Sequence, residues 1–404
     1  MSNCRYGVIY KAASYVRTDM KIPLFYNIRN LKTRIGATLL TTMGIAITVG
    51  VVVLLSGLLT GLRHAFVANG DPLNLLLLRR GLNTEYASSV TTQQFQTVKG
   101  FSGVMQTADQ QPMASIEAVM GLVLPRRRGA GDANVTLRGV SAAGIALRPK
   151  IRIVEGRWFN AGQREVVAGK SAQRRFDVTV GTRIVIGRGE WTVVGVFDNG
   201  DTAQESELWA DVNQVTADSP RPHFSSMLVR AQDEQALEQL IRRIENDPRL
   251  GLAVYREPMY YAQQTATANS LKFVGFFMAV IMGIGSCFAA ANTMFASVAY
   301  RGPEIAILRI LGFSRSQILG SFVAESILIA LCGGILGVLA VLPLNGFTTG
   351  TLNSFTFSEM IFKMQITPAV ILTAFVTAVL MGIVGGLLPA LQASRQNIAA
   401  TMRH

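Results

Sequence analysis

Apolar positions in this chain are gathered into four long runs rather than spread evenly. Gly36–Leu59, Phe273–Val298 and Thr367–Leu388 hold no charged residue, and Ile318–Leu342 holds one, Glu325. At about 1.5 Å of rise per residue, each run exceeds the roughly 20 residues needed to cross about 30 Å of hydrocarbon. Buried helices of soluble proteins rarely stay uncharged for so long, so the pattern predicts transmembrane helices at 36–59, 271–299, 318–344 and 367–389. The first run is too long for a signal-peptide core of about 7–15 residues, and Gly61-Leu62-Arg63-His64 offers no small-residue cleavage site. It reads as an uncleaved anchor.

Residues 60–270 follow different periods. Leu75–Leu78, Ala114–Leu124, Arg164–Ala168, Arg183–Ile186, Trp191–Phe197, Ser225–Val229 and Ala253–Tyr255 read as strands. Gly187-Arg188-Gly189-Glu190 suits a hairpin link. Thr91–Val98 reads as a helix with a threonine cap, and Leu237, Leu240, Ile241 and Ile244 recur at helical spacing behind Asp233. The expected fold is therefore a membrane protein: four transmembrane α-helices with a large α+β domain inserted between helices 1 and 2.

Charge sets the orientation. The segment 1–35 carries seven Lys/Arg, the segment 300–317 has Arg301, Arg309 and Arg315, and the tail 390–404 has Arg395 and Arg403. The loop 345–366 has only Lys363. The excess of basic residues marks the inner side, so both termini are expected in the cytoplasm and 60–270 outside. Residues 1–19 are basic and weakly patterned; Met20-Lys21-Ile22-Pro23 resembles an alternative start, and the other reading of 1–19 is a basic amphipathic arm on the inner leaflet. The net charge of +13 largely reflects these topological signals and is not read as nucleic-acid binding. A charged fraction of 16%, against about 25% in soluble domains, argues against an ordinary cytosolic enzyme.

The outside domain holds none of the cysteines Cys4, Cys287 and Cys332, so no disulfide framework is expected there. Gly169-Lys170-Ser171 mimics the end of a phosphate-binding loop, but the required first glycine is replaced by Arg164. His64, His223 and His404 lack metal-ligand spacing. Asp198, Asp201, Glu205, Glu207 and Asp211 read as a solvated loop and helix start in preference to a calcium or catalytic site. Arg126-Arg127-Arg128 reads as a solvated basic turn. No catalytic site or metal site is expected. Two features stand out in the membrane part. Glu325 lies about 10 Å into its span by helical rise, and intramembrane carboxylates are costly; Asn292 is a second polar group in a span. Gly333/Gly337 and Gly382/Gly386 are spaced for close helix approach, within one subunit or across a dimer.

Between spans two and three runs Tyr300-Arg301-Gly302-Pro303-Glu304-Ile305-Ala306-Ile307-Leu308-Arg309-Ile310-Leu311-Gly312. It predicts a short amphipathic helix with Pro303 in its first turn, Gly312 at its end, and Ile305, Leu308 and Leu311-Gly312 on one face. This segment resembles the cytoplasmic coupling helix of MacB/FtsX-type ABC transporter permeases, whose pattern Arg-x-x-Glu-Ile-(Gly/Ala)-Ile-Leu-Arg-x-(Leu/Ile)-Gly is met by Arg301, Glu304, Ile305, Ala306, Ile307, Leu308, Arg309, Leu311 and Gly312. Gly385-Gly386-Leu387-Leu388-Pro389-Ala390 through Arg395 resembles the family's closing motif. Ile153–Arg157, Glu165–Gly169 and Trp191–Phe197 resemble its MacB-type periplasmic domain, so the likeness covers about residues 20–404.

The resemblance implies a non-catalytic permease of the bacterial inner membrane. It implies a dimer with itself or a homologous permease and a separate cytoplasmic ABC ATPase that holds the ATP and Mg²⁺; this chain binds no cofactor. It assigns ATPase coupling to Arg301, Glu304, Ile305, Leu308, Arg309, Leu311 and Gly312. It further implies export with a periplasmic adaptor and an outer-membrane duct, in contact with membrane lipids and no nucleic acid. Lipoprotein-releasing permeases and FtsX-like regulators of periplasmic hydrolases share the architecture. A membrane-anchored receptor independent of any ATPase is the alternative from a different class.

Overall fold

The structure, a computed structural model, describes residues 35–67, 70–127, 131–219, 223–264, 266–352 and 358–395. The basic segment 1–34 with Cys4, Arg128, Arg403 and His404 lie outside these residues. The elements in chain order are α1 (Ile35–Val67), β1 (Asn74–Arg79), α2 (Thr92–Lys99), β2 (Ala114–Pro125), β3 (Asp132–Val140), α3 (Ala142–Ala146), β4 (Arg152–Gly156), β5 (Glu165–Gly169) and α4 (Lys170–Arg175). There follow β6 (Arg183–Ile186), β7 (Gly189–Asp198), a 3₁₀ turn (Ala203–Ser206), β8 (Leu208–Asp211), α5 (Val212–Asp218), β9 (Ser226–Arg230), α6 (Glu234–Asn246), β10 (Leu252–Arg256) and α7 (Glu257–Gln263). The chain ends with α8 (Ala266–Tyr300), α9 (Gly302–Ile310), α10 (Arg315–Val341), the strands β11 (Thr348–Leu352) and β12 (Glu359–Lys363), and α11 (Pro368–Arg395).

Two units form. One holds the membrane-type helices; the other comprises residues 58–271 with 346–365. In the first, four helices are long and apolar enough to cross a membrane, at Ile35–Phe66, Lys272–Tyr300, Arg315–Leu344 and Pro368–Arg395. Small residues let them approach closely. A Cβ on Gly333 would meet the Ile45 side chain at 2.9 Å, and one on Gly337 would meet the Ala46 carbonyl at 2.5 Å, so α10 rests against α1 through these two glycines. Gly382 and Gly386 seat α11 on α10 beside Ser326 and Ala330, and Ser326 Oγ donates to the Gly382 carbonyl at 2.7 Å. All four glycines thus pack helices of one chain. Hydroxyl pairs join α1 to α8: Thr41–Thr293 at 2.6 Å and Thr48–Ser286 at 2.7 Å.

In the second unit ten strands form one sheet in the order β10-β1-β9-β2-β3-β8-β5-β7-β4, with β6 added on β7. β2 joins its two halves: Ala114–Glu117 pair with β9, and Ala118–Pro125 pair with β3. One half is closed by α2 and α6 over Leu75, Leu77, Val229, Leu237, Leu240 and Ile244. Local signals dictate both helices. Thr91 and Gln94 form a reciprocal capping box, and Asp233 accepts from the Ala236 amide. The other half buries Leu137, Phe176, Trp191 and Leu208. The β6–β7 link is a tight turn at Gly187-Arg188, where Gly187 has φ +57°.

The expected loop 345–366 contains a hairpin. β11 and β12 pair antiparallel, and they belong to the large unit. Arg126 Nε and Arg175 Nε both donate to Glu359, at 3.0 and 2.8 Å, and Lys363 pairs with Asp201 at 2.6 Å. Met360 and Phe362 join Leu62, Phe66, Tyr260 and Tyr261 in one apolar cluster. The basic turn is therefore only partly solvated, since Arg126 is committed to the hairpin.

Candidate functional site

Helix α9 is built by local code at both ends. Pro303 occupies its first turn, where a missing amide costs nothing. At its end Gly312, with φ +95°, donates to the Arg309 carbonyl at 3.2 Å, and Phe313 donates to Leu308 at 3.1 Å. These two bonds satisfy carbonyls that a helix end otherwise leaves bare. Ser314 and Gln317 then form the capping box that starts α10. The short helix, the sharp turn and the start of α10 thus follow from the fifteen residues Pro303–Gln317.

Arg301 precedes α9 and is its anchor. Its Nη1 donates to Glu325 Oε2 at 2.9 Å, its Nε to Glu304 Oε2 at 3.1 Å, and its guanidinium lies 4.9 Å from the Phe322 ring centre. The Arg301 and Glu325 side chains are 8% and 5% exposed, so this charge pair is nearly dehydrated. Breaking such a pair on one side costs about 3–5 kcal/mol, because it strands the other charge. Glu325, expected as an intramembrane carboxylate, is thereby joined to the expected coupling segment. Sequence spacing of 24 residues could not show that they meet.

Ile305 and Ala306 are buried beneath α9, and Leu308 and Arg309 are half-buried. Leu311 departs from the expected face. It stands 63% exposed because the helix ends at Ile310 and the chain turns at Gly312. Ile307 and Ile310 are exposed too, at 53% and 59%. With Glu304, half exposed, they make an apolar face edged by one carboxylate. Asn292 sits on the exposed side of α8, next to Thr293.

A second concentration of charge, missed in the sequence, lies in the large domain. Arg138 pairs with Glu85, Glu117 and Glu207 at 2.8–2.9 Å, and Arg148 pairs with Glu117 at 2.6 Å. Glu257 lies 4.0 Å from Arg148 Nε and accepts from the Asp71 amide and from Asn74. Burial opposes ionisation of Glu117, but Arg148 and Arg138 outweigh it and hold its pKa low. Glu257 is the reverse case: burial dominates and pushes its pKa up. The charged residues come from β2, β3, α7 and the separate loops that hold Glu85, Arg148 and Glu207, so no local spacing could announce them.

The acidic residues expected to be a solvated loop are largely inside. Glu205 is fully buried; its carboxylate accepts from the Asn199 and Asp201 amides, both at 2.8 Å, and from Ser171 at 3.2 Å. Burial, then the Asp198 carboxylate, raises its pKa to about 6. Glu207 joins the Arg138 cluster, and Asp211 caps α5. The reason is topological: the loop after β7 folds inward under the hairpin, and burial then requires these carboxylates to find donors. Lys170 of the false phosphate-loop motif pairs with Asp198 at 3.0 Å. Among the described residues no group of His, Cys, Asp and Glu could hold a metal ion.

Family models match most of the chain. Residues 38–247 match the MacB-like periplasmic core domain, and residues 276–398 match the FtsX-like permease C-terminal domain. The macrolide export ATP-binding/permease protein MacB of Pasteurella multocida (strain Pm70) is 28% identical over 89% of this chain and 56% of its own length. That of Agrobacterium fabrum (strain C58) is 28% identical over 67% of this chain and 43% of its own length. The chain thus spans about half the length of these relatives. Among solved structures, the extracellular domain of the noncanonic ABC-type transporter YknZ from Gram-positive bacteria aligns with 45% of this chain and 99% of that one, at 20% identity and a TM-score of 0.35. With the helices, the inserted domain and both family domains in their expected order, the chain belongs to the MacB/FtsX-type family of ABC transporter permeases.

Proposed function

We propose that this chain is the membrane subunit of a MacB-like ABC exporter and relays ATP-driven motion to its periplasmic domain. The observation that carries this reading is the Arg301–Glu325 pair, which ties α9 to the helix that follows it. A push on α9 is then passed to α10 directly, without the slack of a hydrated side chain. The exposed Ile307, Ile310 and Leu311 beside Glu304 form the surface that an ATPase would grip. In this reading both termini and α9 face the cytoplasm.

The 404 residues contain no Gly-x-x-x-x-Gly-Lys-(Ser/Thr) loop. ATP and Mg²⁺ therefore belong to an ATPase outside these residues, in keeping with the relatives' name, which joins ATP-binding and permease. The working form is a dimer of two such permease units, with a periplasmic adaptor and an outer-membrane duct completing the export path.

The test is purification from native membrane followed by an ATP hydrolysis assay. The expected result is vanadate-sensitive turnover that co-purifies with the chain and is lost in Glu304→Lys, with membrane insertion unchanged. Unaltered turnover in that variant removes α9 as the coupling element.

A further inference from the structure

Strand β2 changes neighbours partway along. Ala114–Glu117 pair with β9 on one flank, and Ala118–Pro125 pair with β3 on the other. Beyond Glu117 the β9 flank is therefore left without a strand among the described residues. Val119 still finds a partner there: its amide donates to Ser225 Oγ at 2.9 Å, and its carbonyl accepts from the same hydroxyl at 3.3 Å. Backbone groups in an antiparallel ladder point alternately to the two flanks. Gly121 and Val123 thus turn their N–H and C=O the same way as Val119, and no hydrogen bond meets them on that flank among the described residues. The flank closes again at Arg127, whose amide donates to the Arg175 carbonyl at 2.9 Å.

This open edge lies at the floor of a groove walled on both faces of the sheet. On one face Tyr86 stands over Gly121, and its hydroxyl occupies the space that a Cβ would need. That hydroxyl makes no hydrogen bond among the described residues. On the other face Val215 and Thr216 of α5 rise beside Ala118 and Met120. The pocket between these walls has a volume of about 250 Å³ and no Asp, Glu, Lys or Arg in its lining. A cavity of about 150 Å³ accepts benzene, so this one has room for an aromatic or large aliphatic side chain. The edge itself is apolar: Ala118–Leu124 holds no charged residue, and Val123 is 59% exposed. Elsewhere the sheet guards its margin, since β4 carries Arg152, Glu155 and a register shift between Ile153 and Glu155. Edges without such devices act as templates for another strand.

We propose that this groove binds an extended peptide segment of another protein, which adds as a strand beside Val119–Val123 and places an uncharged, apolar side chain in the pocket at Tyr86. Main-chain bonds to Gly121 and Val123 hold the segment, and the pocket selects its residue, the usual division of labour when a strand is added to a sheet edge. The unpaired Tyr86 hydroxyl serves the segment as donor or acceptor. A peptide suits the site better than a second copy of this chain. Walls stand on both faces, so the groove has room for one strand and not for a second sheet. The proposal does not depend on how α9 meets an ATPase.

The probe is a fluorescein-labelled peptide, Val-Thr-Phe-Thr-Val, titrated into the full chain in detergent and read by fluorescence anisotropy. The expected result is saturable binding that falls at least tenfold when alternate peptide amides are N-methylated, and likewise when the phenylalanine is replaced by aspartate. On the protein side, Val123→Pro removes one edge-facing N–H and spares the β3 ladder, because that N–H points away from β3. It should weaken binding at least tenfold with the thermal unfolding midpoint little changed, while Val123→Thr binds as the parent does. Thr216→Trp fills the pocket and should weaken the phenylalanine peptide far more than its alanine counterpart. Where Val123→Pro fails to fold, the N-methylated peptide reads the same bonds on the unaltered chain. Equal binding of the N-methylated and unmodified peptides, or no binding by the unaltered chain, overturns the proposal. So does a fall in oligomeric mass in Val123→Pro without peptide binding by the parent, which would assign the edge to a second copy.

Discussion

Buried charge is handled differently in the two units. In the membrane unit one arginine meets one dehydrated glutamate, with Glu304 as a hydrated third partner. In the periplasmic domain two arginines are set among Glu85, Glu117, Glu207 and Glu257. The first arrangement is balanced and makes one connection between neighbouring elements. The second carries surplus negative charge, and within it burial, with a small addition from Glu117, raises the pKa of Glu257, whose Oε1 has no hydrogen-bond partner. A lipid-facing bundle tolerates few charges, so each must serve a specific contact. A domain with a large sheet can afford a network that fixes how its two halves meet on β2.

Removing Arg138 tests the contrast most severely. Arg138→Ala leaves Glu85, Glu117 and Glu207 facing one another inside the domain, and we expect a loss of at least about 3–5 kcal/mol. The readout is loss of the thermal unfolding transition or rapid proteolysis of the purified chain. Survival with unchanged stability would show the cluster to be hydrated. The matching change in the membrane unit is Arg301→Ala. It strands only Glu325, seven residues inside its apolar run, and we expect about 3–5 kcal/mol of destabilisation with loss of coupled ATP hydrolysis. Glu325→Gln retains an acceptor for Arg301 and should recover part of both.

Smaller still is the effect of Glu205→Gln. The folded pKa of Glu205 is raised from 4.5 to about 6, so its contribution to stability is fully present below pH 4.5 and lost as pH rises through 6. Glutamine keeps the acceptor for the two backbone amides and cannot ionise. The variant should match the parent near pH 4 and exceed it by roughly 1–2 kcal/mol at pH 7.5, as read from unfolding curves at the two pH values. A parallel pH profile in parent and variant would show that the pKa of Glu205 is not raised by its burial beside Asp198. Least of all on stability, Glu304→Lys should stay within about 0.5 kcal/mol, since Glu304 is half exposed. Its effect is expected in coupling alone. A large stability loss there would make Glu304 part of the anchor and not of the grip.

How much of this was legible beforehand depends on range. The helix α9, its glycine stop and the capped start of α10 were readable because they are set by neighbours within four residues. Strands such as β7 and β9 were readable from their β-branched and apolar runs, but β3, β8 and the β11–β12 hairpin were not assigned. β8 is four residues long, and β3 begins in a Gly/Asp/Asn-rich stretch that reads as a loop. The hairpin acquires order from Arg126, Arg175 and Asp201, which lie far away in sequence.

The sequence by itself determined the four spans, the inserted α+β domain and the coupling motif, because hydrophobic period and helix capping act over a turn or two of chain. Only the tertiary structure decided which charges meet. It joined Arg301 to Glu325, drew Glu205 and Glu207 inside, and turned Gly333 and Gly382 toward partners in the same chain. Electrostatic partnership depends on distance in space and on exclusion of water, and neither is written in local spacing.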